Sequence, residues 1–422
     1  MENLKQNKPL KITAVLCFIM VMVSLGLCSS GRTMYLTAIC DALSLPRGAF
    51  SIGNTFRHVT TALINVYFGA MVMKFGTKKL IGAGFLCLMS FALINVFATQ
   101  LWQFYISNIF LGVGLSWCGT IMASTIVNRT YTENKGKIMG VVLSANGIGG
   151  ALAAQMVSPI IFAEGKPFGY RTSYILVACI LFVVMLVVML FYKEAPKQPG
   201  QEVVKKKKAR GAGWIGIDYK EVVKKPYYYI VIFCIFITGV ALTGISEIAT
   251  PHMYDMGLSK PYVAILASIG SVMLTVSKVS TGFTFDKFGT KTAMNICYSC
   301  LVVSLVGLVL VANTPFGRGV ALTRSFIASF ALPLETVMLP FFASELFGNK
   351  PFEKVLGIFM AAKYTGAAVG APFGNLLHDF FGSYNLSFVI FSIMAVFVIV
   401  AMQIVLNVAN KDKQMILASM EE

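Results

Sequence analysis

The sequence predicts an all-α membrane protein with twelve transmembrane helices, and three observations lead to this fold class. The 422-residue chain is 57% hydrophobic and only 13% charged, whereas about 25% of the residues are charged in an ordinary soluble domain. Its mean hydropathy is +0.75, so the chain has more apolar surface than a water-facing fold buries. The apolar residues also form twelve long runs, arranged as two repeating halves. These features exclude a soluble globular enzyme.

Each apolar run is close to the length of about 20 residues that a helix needs to cross a bilayer. The runs are apolar on all sides, without the alternation of barrel strands, so helices are predicted. The first run follows Lys5, Lys8 and Lys11, but it is too long for a signal peptide and no cleavage site stands out. Segments 1 to 12 cover residues 12–36, 50–72, 80–97, 102–123, 138–163, 173–192, 228–250, 263–285, 292–311, 320–342, 355–377 and 388–408.

The net charge of +17 is distributed as expected for a membrane protein. If both termini are cytosolic, 25 of the 35 Lys and Arg residues fall in the termini and inward loops, and five fall in outward loops. This asymmetry follows the positive-inside rule. We therefore expect a multi-pass protein of the cell membrane, with membrane lipid around it and no nucleic acid as a partner. The compact loops favour a bacterial inner membrane.

One long polar stretch divides the chain into two halves. We expect an N-terminal six-helix half at 1–192, a cytosolic central loop at 193–226 and a C-terminal six-helix half at 227–422. The central loop contains a run of four lysines, and its last part, 214–225, favours a short amphipathic helix at the membrane surface.

The two halves repeat at an offset of 213 to 217 residues. Residues 69–78 align with residues 282–291, and both end in Lys-Phe-Gly-Thr-Lys. In segments 5 and 11, Asn146 aligns with Lys363. Several matches at nearly one offset indicate a duplication, which is the architecture expected of a rocker-type carrier.

Residues 282–291 match the loop motif G-x-x-x-D-[RK]-x-G-[RK], and with the repeat the chain resembles the major facilitator superfamily over nearly its whole length. The resemblance implies the major facilitator fold of two six-helix halves. The first copy departs from the motif, because Met73 stands where the family has Asp. Gating roles are implied for five loop residues: Lys74, Gly76, Asp286, Lys287 and Gly289.

Within that superfamily, the chain looks like the oxalate:formate antiporter and monocarboxylate transporter family. That family has a basic residue on segment 8, and its oxalate-exchanging members have a Lys on segment 11; Lys278 and Lys363 occupy these places. Segment 8 more often has Arg there, so Lys278 offers a point charge instead of a bidentate fork. Monocarboxylate carriers also have a Lys late in segment 1, where this chain has Arg32.

Charged residues within the predicted segments are mostly cations. The cations are Arg32, Arg57, Lys278, Arg324 and Lys363, and the acids are Glu247 and Glu335. A cation in the membrane core costs several kcal/mol unless it has a partner or faces water. The excess of positive charge therefore predicts an anionic substrate, whose carboxylates would be held by charge-assisted hydrogen bonds.

We predict that the substrate site lies between the halves. Its predicted residues are Lys278, Lys363, Arg57, Arg32, His58, Asn65, Asn146, Tyr35 and Tyr364. Snorkelling to the cytosolic face is the alternative for Lys278, hydrogen bonding to helix carbonyls is the alternative for Arg57, and packing is the alternative for the aromatic residues. Arg324 is expected to pair with Glu335 or Glu247, and these three residues serve either proton coupling or structural charge pairs.

The predicted function is secondary active transport of a small mono- or dicarboxylate by alternating access. Anion exchange is favoured because unpaired like charges in a dry cavity oppose closure. The first alternative is a proton-coupled monocarboxylate symporter; the second is an exporter of neutral or cationic compounds, which would require acids that segments 1 and 4 lack. No nucleophile, nucleotide or metal motif appears, so we expect no enzymatic activity, no cofactor and no metal, in a protein functional as a monomer.

Overall fold

A computed structural model of the protein describes residues 2–30, 32–45, 47–131, 134–161, 168–194 and 216–419. In these ranges, nine helices are long and apolar enough to cross a membrane, or ten if the bent pair at 315–347 is one span. One of the nine, Lys260–Val309, contains both segment 8 and segment 9, and the more polar helix Arg47–Phe75 is segment 2. All twelve predicted segments are therefore found as helix.

Eight α-helices precede the central loop. They are α1 (Glu2–Val21), α2 (Arg32–Leu43), α3 (Arg47–Phe75), α4 (Thr77–Phe97), α5 (Leu101–Cys118), α6 (Thr120–Thr130), α7 (Lys135–Ile161) and α8 (Gly169–Phe191). A π-helix at Met22–Ser30 connects α1 to α2 within segment 1. We call α1 to α8 the N-terminal helices.

The described residues contain seven more α-helices, and the first of them, α9, lies in the central loop. They are α9 (Tyr219–Val222), α10 (Pro226–Asp255), α11 (Lys260–Val309), α12 (Pro315–Ser329), α13 (Met338–Phe347), α14 (Phe352–Phe381) and α15 (Asn385–Ser419). We call α10 to α15 the C-terminal helices. Of the amphipathic helix expected at 214–225, only the four residues of α9 are helical, and most of the central loop lies outside the described residues.

Segment 10 is not the continuous helix that the sequence predicts. It consists of α12, a short 3-10 helix at Leu332–Glu335 and α13, with a bend of 42°. Pro333 has no amide hydrogen to donate to the carbonyl of Ser329, where α12 ends, so it favours the break. The helix restarts at Met338. Segment 4 is interrupted at the equivalent point of the repeat, where Gly119 separates α5 from α6.

The N-terminal and C-terminal helices meet mainly along two pairs, α3 with α14 and α7 with α11, and more weakly where α6 contacts α14. The contacts include the end of the molecule that carries the loops at Gly76 and Gly289, where φ is +80° and +81°; we call it the glycine-loop end. On the other side of Lys363, towards the far end, Ser246 and Glu247 of α10 are exposed. Since exposed polar groups on an apolar helix face water rather than lipid, these residues indicate a cleft open towards the far end.

Candidate functional site

Lys363 of α14 forms an ion pair with Glu335, the last residue of the 3-10 helix. The Lys363 Nζ atom lies 3.3 Å from Oε2 of Glu335, and the two side chains are only 10% and 15% exposed. The same Nζ lies 4.3 Å from the ring centroid of Tyr364. The break in segment 10 thus brings the acid to the lysine, a contact that the predicted continuous helix did not suggest.

Lys278 of α11 joins the two sets of helices. Its side chain is 2% exposed, and its Nζ donates a hydrogen bond to the carbonyl oxygen of Leu143 on α7 at 3.2 Å. Gly140 allows this approach, because a Cβ atom there would lie 2.7 Å from the carbonyl oxygen of Lys278. The alternative of snorkelling to the cytosolic face is therefore wrong. Lys278 also interacts electrostatically with Lys363 and Glu335.

Arg57 brings a cation from the N-terminal helices to the same region. Its Nη1 donates to the hydroxyl oxygen of Ser29 at 2.8 Å, and its Nη2 lies 3.1 Å from Nε2 of His58. The His58 ring lies 5.8 Å from that of Tyr364 on α14, and Arg57 interacts electrostatically with Glu247. Among the described contacts, Arg57 bonds side chains rather than the helix carbonyls considered as its alternative.

The remaining predicted site residues differ in their surroundings. Asn65 is buried at the contact between α3 and α14, and its Oδ1 has no hydrogen-bond partner within the described ranges. Asn146 is partly buried on α7, next to the contact of Gly147 with Thr275 of α11.

Two predicted residues are not brought to the cations by any described contact. The hydroxyl of Tyr35 lies 2.7 Å from that of Ser173, and its ring stacks on Tyr174 at 4.2 Å, so it packs within the N-terminal helices. The side chain of Arg32 lies outside the described part of the structure.

The predicted pairing of Arg324 with Glu335 or Glu247 is not found among the described residues. Glu335 pairs with Lys363, and no ion pair of Arg324 with Glu335 or Glu247 occurs within the described ranges. The Arg324 side chain instead lines a cavity of about 340 Å³ among α10, α11 and α12. No sequence pattern predicts this cavity, because its walls come from residues far apart in the chain.

In the second loop copy, at residues 282–291, Asp286 joins α11 to α7 at the glycine-loop end. Its carboxylate accepts hydrogen bonds from the backbone amides of Gly136 at 2.9 Å and Lys137 at 2.7 Å, in the first turn of α7. Those amides have no partner within their own helix, and a negative charge is favourable at a helix N-terminus. Lys287, beside Asp286, is exposed.

The first loop copy uses different residues. Met73 and Lys74 are exposed, and the contact between α6 and α14 is an ion pair, with Nε of Arg129 2.7 Å from Oε1 of Glu353. This pair was not predicted from the sequence; an acid just before segment 11 and an arginine after segment 4 were the available signal.

The central residues together favour an anion. Arg57, Lys278 and Lys363 carry three positive charges, and Glu247 and Glu335 carry two negative charges, when each group has its usual charge. They come from both sets of helices and interact electrostatically. Arginine and lysine hold carboxylates through charge-assisted hydrogen bonds.

Comparisons with known proteins agree with the fold. Residues 16–350 match the profile of the Major Facilitator Superfamily. The chain is 24% identical over 398 residues to the proton-coupled antiporter flippase LtaA of Staphylococcus saprophyticus, covering 90% of this chain and 93% of that protein. It is 22% identical over 357 residues to the uncharacterized MFS-type transporter YcxA of Bacillus subtilis, covering 83% and 84%.

Two solved structures have the same fold. The proton:xylose symporter XylE aligns with a TM-score of 0.74 and 14% identity, covering 94% of this chain and 96% of that chain. The E. coli fucose:proton symporter FucP aligns with a TM-score of 0.71 and 13% identity, covering 93% and 98%. The predicted fold class is therefore confirmed, and the narrower resemblance to the oxalate:formate antiporter and monocarboxylate transporter family stays a prediction.

Proposed function

We propose that this protein, which belongs to the Major Facilitator Superfamily, exchanges small mono- or dicarboxylates across the membrane by alternating access. The observation that carries the proposal is the group of three cations, Arg57, Lys278 and Lys363, contributed by both sets of helices around a smaller number of acids. Closing a cleft over an excess charge is unfavourable. A bound carboxylate removes that excess, and so favours closure.

The contact between Lys278 and Leu143 suggests how binding drives exchange. This hydrogen bond joins α11 to α7, so it must break when the glycine-loop end opens. Lys278 then loses its acceptor, and a buried ammonium group without a partner is costly. A substrate carboxylate that accepts from Lys278 and Lys363 compensates for this loss. Return of the carrier without an anion is correspondingly slow, which is the behaviour of an exchanger.

In this proposal the halves 1–192 and 227–422 move as two bodies, joined by the central loop at 193–226. The glycine-loop end faces the cytosol, with both termini, because the positive-inside rule assigns the basic loops to that side. The protein acts as a monomer in a bacterial inner membrane.

Proton symport is the second candidate, and the ion pair between Lys363 and Glu335 favours it. Protonation of Glu335 would release Lys363 to hold a substrate carboxylate, so that one proton would accompany each monocarboxylate. His58, which contacts Arg57, is a second candidate carrier of the proton. Exchange and symport differ in whether a proton gradient alone drives uptake.

The test is uptake of labelled oxalate, formate, lactate and succinate into proteoliposomes that are preloaded with one unlabelled anion or left empty. Exchange predicts uptake only after preloading, whereas symport predicts uptake into empty vesicles under an inward proton gradient. Lys278→Gln and Lys363→Gln should each abolish most uptake. Lys224→Gln is the matched control, because that lysine is exposed and its ion pair lies at the surface. Full uptake by the double lysine variant would refute the proposal.

A further inference from the structure

We propose that the cavity among α10, α11 and α12 is a second anion site, which binds a monocarboxylate with an apolar body. Its volume is about 340 Å³, within the range of roughly 300–1,000 Å³ that is typical of small-molecule sites. Lys278, Lys363 and Glu335 do not line it, so it is distinct from the central site. The inference does not depend on the transported substrate.

The first observation is that Arg324, which lines the cavity, has a hydrogen-bond donor without an acceptor in the described residues. Its Nε atom is buried and has no hydrogen-bond partner within the described ranges. The base of the side chain lies against α11, where a Cβ atom at Gly307 would be 3.6 Å from Cβ and Cγ of Arg324. The Nε–H group of Arg324 is therefore a buried donor without an acceptor, and such a group is costly. An anion in the cavity would supply the missing partner.

The second observation is a hydroxyl in the same wall. The Oγ atom of Ser304 is also buried without a hydrogen-bond partner among the described residues. The other four serines of the cavity donate their hydroxyls to backbone carbonyls: Ser246 to Leu242, Ser271 to Ala267, Ser325 to Ala321 and Ser329 to Gly270. Arg324 and Ser304 therefore place two unused donors in the wall of one cavity. A carboxylate, which has two acceptor oxygens, can accept from both.

The rest of the lining defines the body of the ligand. Most of the wall is apolar, with residues such as Leu242, Ile245, Leu266 and Leu301. No acid and no second cation is found among the described lining residues. One negative charge on an apolar ring or short chain fits this composition, whereas a dicarboxylate would leave its second charge unpaired. Exposed Thr250 and Ser271 mark the side that faces the open cleft.

The test uses full-length protein in nanodiscs, with benzoate and benzamide as probes in isothermal titration calorimetry. The two probes have nearly the same shape and differ in charge. All measurements use a protein that also carries Lys278→Gln and Lys363→Gln, so that binding to the central lysines does not contribute. Benzoate should bind, and benzamide should bind at least about tenfold more weakly, since a charge-assisted hydrogen bond is lost.

Three further variants locate the binding. Arg324→Gln should weaken benzoate binding at least about tenfold, and Ser304→Leu should do the same by filling the cavity. Arg318→Gln is the matched control on the same helix, because Arg318 is bonded to Asn313 at the surface; it should bind benzoate normally. If Arg324→Gln does not fold, Ser304→Leu decides, because it leaves the charge in place.

Two results would overturn the second site: absence of benzoate binding, or benzoate binding that is not weakened in the Arg324→Gln and Ser304→Leu proteins. Neither bears on the exchange experiment, which depends on Lys278 and Lys363. Conversely, a failure to exchange carboxylates would leave benzoate binding at Arg324 unaffected.

Discussion

At the glycine-loop end, the first turns of α7 and α14 are repeat counterparts, but their negative charges come from different places. The N-terminus of α7 receives its acid from another helix, since Asp286 of α11 binds the amides of Gly136 and Lys137. The N-terminus of α14 carries its own acid, because Glu353 stands where α7 has Gly136 at an offset of 217 residues. Glu353 in turn binds Arg129 after segment 4.

This difference separates what the duplication preserves from what it does not. Gly69 and Gly282 occupy equivalent positions, and both allow close approach: a Cβ atom on Gly69 would lie 2.8 Å from the backbone of Lys354, and one on Gly282 would contact Gly136. The shape of the contact is therefore repeated. Its chemistry is not, because Met73 replaces Asp286 and offers no acceptor.

Removing the acid from the second copy should give the largest effect. Asp286→Asn replaces two charged acceptor oxygens by one neutral oxygen, and hydrogen bonds to charged groups contribute about 1.5–3 kcal/mol each. The amides of Gly136 and Lys137 should exchange with deuterium at least about tenfold faster, because their protection depends on this contact. Mass spectrometry of a peptide covering 135–140 measures this rate. Glu221→Gln, which alters an exposed acid of α9, is the control, and an unchanged rate in Asp286→Asn would disprove the role of Asp286.

The threonines at 77 and 290, which are also repeat counterparts, allow a second comparison. The Thr77 hydroxyl lies 2.9 Å from the Tyr192 hydroxyl and donates to Glu194 at 3.0 Å, whereas the Thr290 hydroxyl is buried with no hydrogen-bond partner in the described ranges. Thr77→Val should therefore lower thermal stability by about 1–2 kcal/mol. Thr290→Val should be neutral or stabilising, because it removes an unsatisfied polar group.

Thermal unfolding of both variants in the same detergent tests this comparison, and equal destabilisation would contradict it.

The ion pair of the first copy should have a smaller effect. Arg129 and Glu353 are 22% and 15% exposed, so water screens the pair in part, and a coupling of about 0.5–1 kcal/mol is expected. A double-mutant cycle with Arg129→Gln, Glu353→Gln and the double variant isolates this coupling from other effects. Thermal unfolding gives the energies. A coupling near zero would mean that the glycine contacts alone close this copy.

The sequence predicts the helices and the repeat of the two halves, but it does not predict which charged residues pair. The twelve segments and the repeat follow from composition and spacing, because the thickness of the bilayer dictates helix length. The glycine loops follow from their motif. The pairing of charges does not, since Lys363 meets Glu335 at the break in segment 10, beside Pro333. The sequence predicts an ion pair of Arg324 with Glu335 or Glu247, but at the break Glu335 pairs with Lys363 instead. The cavity beside Arg324 lies among three helices, and no local sequence pattern predicts how they pack.

Adding to the first loop copy the acid that it lacks should have the smallest effect of these variants. It also compares the two loop copies at a single position. Met73 is 51% exposed, so Met73→Asp introduces a charge without opening a cavity. If the contacts repeat in detail, this aspartate will reach the first turn of α14 and stabilise it by about 0.3–1 kcal/mol. Deuterium exchange at 352–356 should then slow by less than about fivefold. Met73→Asn is the matched control without charge. Because Glu353 already carries a negative charge in that turn, faster exchange would mean that the two acids repel, and that the first copy has no place for the acid it lacks.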